Sequence, residues 1–189
     1  MHLTLYVVIL IFAIILITIL NLFTGHTNIS HFTIILWGIL NPILIIALDG
    51  IVASVIHNAF PQKWFNPYKK CFTPPKKELS LYRKSKITRW KDFIPDTGKI
   101  TAKFSKQKID STDPKYLYKF LQETCSAEWV HYGMCLAGFL TLIYAPKELF
   151  FSMFLPQSLV NFFLNIPPIL IQRNNRPKLL KMYEHKLKE

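Results

Sequence analysis

The sequence predicts an all-α integral membrane protein. Four transmembrane helices are expected, with a basic cytoplasmic amphipathic segment between the second and third. Three observations carry this. The chain of 189 residues is 51% hydrophobic yet has a net charge of +12. A soluble domain rarely combines those values, but a chain that segregates apolar from basic stretches does. Four stretches are long and apolar, at about 3–23, 33–59, 129–145 and 149–171. Finally, every one of the 23 Lys and Arg residues except Lys147 falls in segments that this arrangement places on one side.

The first stretch, Leu3 to Phe23, carries no charge. At ~1.5 Å per residue it is long enough for a hydrocarbon core of ~30 Å. No positively charged region precedes it and no small-residue cleavage pattern clearly follows, so it reads as a retained helix rather than a removed signal peptide. Thr33 to Ala59 is the second span and contains Asp49. The character then changes. Residues 60–128 form an interfacial segment in which Pro61 to Glu128 hold sixteen basic and seven acidic residues, with aromatics interleaved. Such a mixture suits short amphipathic helices against lipid headgroups, expected near Lys76 to Lys91 and Pro114 to Ser126. Nucleic-acid binding is the competing reading of a basic patch, and the adjacent apolar spans argue against it. Trp129 to Ala145 is a short third span, and Leu149 to Ile171 is a fourth with Pro156, Pro167 and Pro168 inside it. The tail 172–189 holds six more basic residues. Positive charge marks the cytoplasmic face, so both termini and the long segment are expected there. The whole chain, 1–189, reads as one multi-pass domain of a cell membrane.

Cys71, Cys125 and Cys135 are odd in number and lack CxxC spacing, and the six histidines show no HxxxH pair. Neither a disulfide framework nor a metal site is expected.

Two constellations carry chemistry. In ETCSAEWVH, Thr124, Glu128 and His131 fall on one helical face. A carboxylate one turn from an imidazole orients it as a general base, and Glu123 competes with Glu128 for that role. The bland alternative is a helix start whose acids complement the macrodipole. The second constellation ends span four. Gln157, Asn161 and Asn165 recur every four residues, an amide stripe that must face protein, water or ligand inside lipid. Pro167 and Pro168 break the local ladder and free backbone carbonyls. Gln172, Arg173, Asn175 and Arg176 follow, and arginines three apart suit a phosphate or carboxylate. Lys178, Lys181, Lys186 and Lys188 read simply as a basic stop. Spans three and four are joined at their far ends, so both constellations are expected at one membrane depth. The set suits acyl transfer: His131 as base, Asn165 and Gln172 as oxyanion donors, and Arg173 and Arg176 on a phosphorylated carrier. Asp49, inside a span, and Trp90 with Lys91 in RWKDFIPD (Arg89 to Asp96) are further ligand contacts in this reading.

These two blocks resemble the glycosyl-4,4'-diaponeurosporenoate acyltransferase family of bacterial carotenoid synthesis. The family pattern E-T-x-x-A-E-x-x-H is matched by Glu123, Thr124, Ala127, Glu128 and His131. Its second block is matched by Asn165, Pro167, Gln172, Arg173, Asn175, Arg176, Pro177 and Leu179. A weaker similarity covers Tyr82 to Asp96, so the resemblance spans roughly Tyr82 to Leu180. The first span is additional to it, the link between the blocks is longer, and Lys178 stands where an arginine is usual. The resemblance implies transfer of a fatty acyl group to a sugar hydroxyl on a lipid-like glycoside in a bacterial cell membrane. Acyl-CoA or acyl-carrier protein, both made in the cytoplasm, is the natural donor, membrane lipids are the surrounding partners, and no cofactor is expected. Two other classes fit the same pattern: a small membrane methyltransferase or reductase, and a non-catalytic lipid-binding subunit.

Overall fold

The computed structural model describes residues 2–24, 28–94, 109 and 111–189. Every regular element among them is helical. We label the α-helices α1 (His2–Phe23), α2 (His31–Ala59), α3 (Lys76–Lys84), α4 (Ile87–Trp90), α5 (Pro114–Ala137) and α6 (Leu155–Lys186). Short 3-10 turns occupy Gln62–Trp64, Lys91–Phe93 and Gly138–Tyr144, and a π-helical turn, Phe150–Phe154, leads into α6. In RWKDFIPD, Pro95 and Asp96 lie outside the described residues.

Three helices are long and apolar enough to cross a membrane: Tyr6–Phe23, His31–Ala59 and Phe150–Lys186. The sequence reading expected four. The missing one is the stretch 129–145, and the reason is local. Its first part belongs to α5, whose earlier turns carry Lys115, Lys119, Glu123 and Glu128. Its second part leaves the α-helix at Gly138 for a 3-10 turn. The last span also differs from its expected end at Ile171, because α6 runs on to Lys186 through Pro167, Pro168 and Pro177. Its 32 residues reach about 48 Å, more than a hydrocarbon core requires.

The chain divides into two compact units. The first comprises Leu3–Val55 and Tyr132–Ile166. Its polar contacts fix the direction of each segment. Thr18 lies against Gly38, so close that a Cβ there would stand 2.3 Å from the Thr18 hydroxyl. Tyr6 bonds the Leu164 carbonyl (2.9 Å) and Asn21 the Ser152 carbonyl (2.9 Å), which makes α1 antiparallel to α6. Asn41 pairs with Gln157 (2.7 Å) and Asp49 with Asn161 (3.3 Å), which makes α2 parallel to α6. Asn161 bonds the Met134 carbonyl (3.0 Å) and Ser158 the Gly138 carbonyl (2.8 Å), so the segment 134–138 runs antiparallel to α6.

Proline explains two of these pairs. Pro42 has no N–H for the Gly38 carbonyl, and Gln157 Nε2 supplies one at 3.3 Å. Pro168 likewise leaves the Leu164 carbonyl free, and the Tyr6 hydroxyl takes it. A buried carbonyl without a donor is costly inside lipid, so these side chains replace the missing rungs. Ile34, Leu149, Met153 and Phe154 form an apolar cluster of this unit, and the outer faces of α1 and α2 expose Phe12, Ile15, Ile39 and Ile43.

The second unit comprises Ile56–His131 and Pro167–Glu189. Tyr82, Ile87 and Ile171 form one apolar core, with Leu79 and Trp90 packed on it. Trp129 gathers Phe60, Phe65 and Phe72 around its ring at 6.1–6.3 Å between centroids. Leu117, Leu121 and Cys125 fill the inward face of α5 at i, i+4 and i+8. Lys86, which opens α4, adopts a left-handed backbone with φ 52°.

Candidate functional site

Two groups of sequence-predicted residues are brought together, one in each unit. In the second unit four charged side chains interlock. Arg176 is fully buried. It donates from Nε to the Thr124 hydroxyl (3.0 Å), from Nη2 to the Thr124 carbonyl (2.8 Å) and from Nη1 to the Phe72 carbonyl (2.8 Å). The Phe72 ring lies 5.3 Å from its guanidinium carbon, a cation–π contact. Glu128, 1% exposed, stands 2.6 Å from Arg176 through Oε2 and accepts from Arg173 Nη1 through Oε1 at 2.6 Å. Oε2 takes no directed hydrogen bond among the described residues. The ion pair holds Oε2, because attraction between charges at that distance tolerates a poor angle.

Arg173 extends the cluster outward. Its Nη1 also reaches the Cys71 carbonyl at 2.9 Å, and its Nε and Nη2 hold both oxygens of Glu78, the second at 2.8 Å. The Tyr82 hydroxyl donates to the same Glu78 carboxylate. Two carboxylates thus balance two guanidiniums. Isolated, a buried charge costs several kcal/mol; paired and hydrogen-bonded, it is tolerated. The Arg173 guanidinium, helped by Tyr82, holds the Glu78 carboxyl below the usual carboxylate range against the opposing pull of burial. Burial, opposed by the nearby Arg176 charge, pushes the Cys125 thiol up to about 12, so Cys125 is no thiolate nucleophile near neutral pH.

This geometry changes how two residues read. Glu128 was expected to orient His131, yet both its oxygens face arginines. Arg176 was expected on a carrier phosphate, yet its N–H groups are spent on protein carbonyls and Thr124. Of the pair only Arg173, its side chain 12% exposed, reaches solvent. Thr124 is a buried partner of Arg176. His131, Glu123, Gln172 and Asn175 are half-buried. Trp90 donates from its indole to the Ser85 carbonyl (3.0 Å), and Lys91 opens the following 3-10 turn.

In the first unit, Asp49, Asn161 and Asn165 form a polar cluster. Asn165 gives its amide to the Asn161 carbonyl (3.0 Å) and Oδ1 (3.2 Å), and Asn161 gives its amide to Asp49. The amide stripe therefore faces protein, and its donors are engaged there. Sequence reasoning missed Glu78 and Asn41. Glu78 is the single acid among the basic residues of α3, KKELSLYRK, a weak signal for a buried partner. Asn41 lies eight residues before Asp49, two turns along one face. No side-chain pattern marks the Cys71 and Phe72 carbonyls. Among the described residues, no group of His, Cys, Asp or Glu is arranged to hold a metal ion.

These features define an all-helical protein with bilayer-length apolar helices and a basic segment organised around buried arginines. A family model for glycosyl-4,4'-diaponeurosporenoate acyltransferase matches residues 61–185, about two thirds of the chain, and the protein belongs to that family. The match takes in all of the second unit's charged cluster and begins well before Tyr82. It leaves out α1, α2 and Asp49. The family is one of acyltransferases, and its name implies a carotenoid glycoside as acceptor. No match was found among curated proteins or among solved structures.

Proposed function

We propose that the chain moves a fatty acyl group from a cytoplasmic thioester, acyl-CoA or acyl-carrier protein, to a sugar hydroxyl of a membrane glycolipid, of which a carotenoid glycoside is the family's example. The observation that carries this is the family match over 61–185, which contains His131, Gln172 and Arg173. His131 takes the proton of the acceptor hydroxyl. The oxygen attacks the thioester carbonyl, and the oxyanion draws on the amide donors of Gln172 and Asn175. The carbon–sulfur bond breaks, the thiolate takes the proton back from the imidazolium, and the ester remains. Arg173 binds an anionic group of the substrate, while Glu128, Thr124 and Arg176 hold Arg173 and the surrounding backbone in place.

The placement is multi-pass in the bacterial cell membrane, with both termini and residues 60–128 cytoplasmic. Support comes from the directions within the first unit. Helices α2 and α6 run parallel and each leads into a basic stretch, so the chain between them must return. Segment 134–138, antiparallel to α6, lies on that return.

The test is direct. Purified protein is incubated with radiolabelled acyl-CoA or acyl-carrier protein and a glycosylated carotenoid, then with total membrane lipid. A labelled, base-labile lipid is the expected product. Absence of transfer with every donor and acceptor, or methylation from S-adenosylmethionine instead, overturns the proposal.

A further inference from the structure

Glu78 holds Arg173 in the geometry an arginine uses for a ligand. Its Oε1 accepts from Nε and its Oε2 from Nη2, a fork on a fork, as with a free carboxylate or phosphate. The two acids on Arg173 are not equivalent. Glu128 is 1% exposed and also pairs with Arg176, whereas the Glu78 side chain is 22% exposed and touches only Arg173 and Tyr82 among the contacts described here. Arg173 is itself secured from behind by Glu128 and the Cys71 carbonyl through Nη1. Rotation of the Glu78 side chain into water would therefore leave the guanidinium where it is. Its Nε and Nη2 would be bare, with the Tyr82 hydroxyl beside them. Helix α3 need not move, because Leu79 and Tyr82 pack against Ile87 and Ile171. The residual cluster of Glu128, Arg173 and Arg176 would carry one net positive charge, and Lys76 and Lys77 stand exposed at the start of the same helix.

We propose that Arg173 and the Tyr82 hydroxyl form a binding site for a ligand oxyanion, a phosphate, phosphodiester or carboxylate, which the Glu78 carboxylate fills at rest and vacates on binding. This deepens the assignment of Arg173 to substrate binding above and rests on it. An internal occupant lowers apparent affinity by the fraction of time the site is free, so Glu78 raises the threshold at which an anionic carrier is admitted.

The test uses the full chain in phosphatidylcholine nanodiscs, as wild type, Glu78→Gln, Glu78→Asp and Glu78→Gln with Arg173→Gln. Dissociation constants are measured for inorganic pyrophosphate, for desulfo-coenzyme A, and for phosphatidylglycerol doped into the discs. Glu78→Gln is expected to tighten binding by roughly tenfold or more. Glu78→Asp, which keeps the charge but is too short to span both nitrogens, gives a smaller gain and serves if the glutamine variant folds poorly. The double variant loses the gain. Tightening for pyrophosphate and desulfo-coenzyme A identifies a nucleotide thioester as the source of the anion. Tightening for phosphatidylglycerol alone identifies a lipid headgroup. Unchanged or weaker binding of all three probes by both single variants, or a gain that survives Arg173→Gln, overturns the site. Because the readout is binding, absent acyl transfer with these shifts intact would defeat the acyltransferase reading alone, and active enzyme without them would defeat this one alone.

Discussion

In the first unit the buried polar side chains are amides and hydroxyls: Asn21, Asn41, Thr141, Gln157, Ser158 and Asn165. In the second they include a carboxylate and a guanidinium, Glu128 and Arg176. Both sets reach backbone carbonyls, some of them without a helical donor. Gln157 serves the Gly38 carbonyl left by Pro42, and Arg176 serves the Phe72 and Thr124 carbonyls. The choice of chemistry follows solvation. A neutral amide can fill a missing rung inside an apolar helix pair with no ion to desolvate, whereas a guanidinium delivers several donors at once but must bring a counter-charge with it. The first unit gains helix register from its pairs, and the second gains a fixed, charge-balanced ion cluster.

The comparison breaks most severely if one ion is removed. Glu128→Ala strands the fully buried Arg176 and takes one of two carboxylates from Arg173, and should destabilise the protein by about 3–5 kcal/mol, measured as a fall in the unfolding midpoint in detergent. Next in size is Gly38→Val, whose added bulk must displace Thr18; about 1–3 kcal/mol is expected by the same measurement. Gln157→Leu removes a neutral pair and leaves Asn41 and the Gly38 carbonyl short of partners; about 1–2 kcal/mol is expected, well below Glu128→Ala. Equal losses for the amide and the carboxylate would erase the distinction between the units.

The smallest effect is a pH dependence. Because Arg173 holds the Glu78 carboxyl below its ordinary value, the stability Glu78 contributes is fully present above an ordinary Glu value of ~4.3. It is lost as pH falls from there through the lower folded value. Unfolding midpoints of wild type and Glu78→Gln should therefore converge as pH drops from 6 toward about 3. Curves that stay parallel throughout would show that Glu78 is not held this way.

Much of this was legible in the sequence, and for identifiable reasons. Long apolar runs marked α1 and α2, the first without a charge and the second with Asp49 alone, because lipid disfavours charge. The spacing of Gln157, Asn161 and Asn165 showed that one face of α6 meets protein, since amides cannot face hydrocarbon. Thr124, Glu128, Arg173 and Arg176 stood out by type, but their partners did not. Nothing in the order of residues says that Arg176 points at the Phe72 carbonyl 104 residues away, or that Glu78 rather than a substrate fills the fork of Arg173. Local rules also misjudged continuity. Pro167 and Pro168 read as a disruption of the ladder and the span ended at Ile171, yet α6 continues to Lys186, with the Tyr6 hydroxyl taking the carbonyl that Pro168 leaves free. At 129–145, apolar composition hid the change from α-helix to 3-10 turn at Gly138.

The central claim is that this chain transfers acyl groups with His131 as the base. It is tested most directly by comparing acyl-transfer turnover of wild type and His131→Ala at equal folded concentration, with helicity and unfolding midpoint matched. With His131 as the base, turnover should drop roughly 10²–10⁴-fold with little change in stability. Full turnover by the folded alanine variant would contradict it.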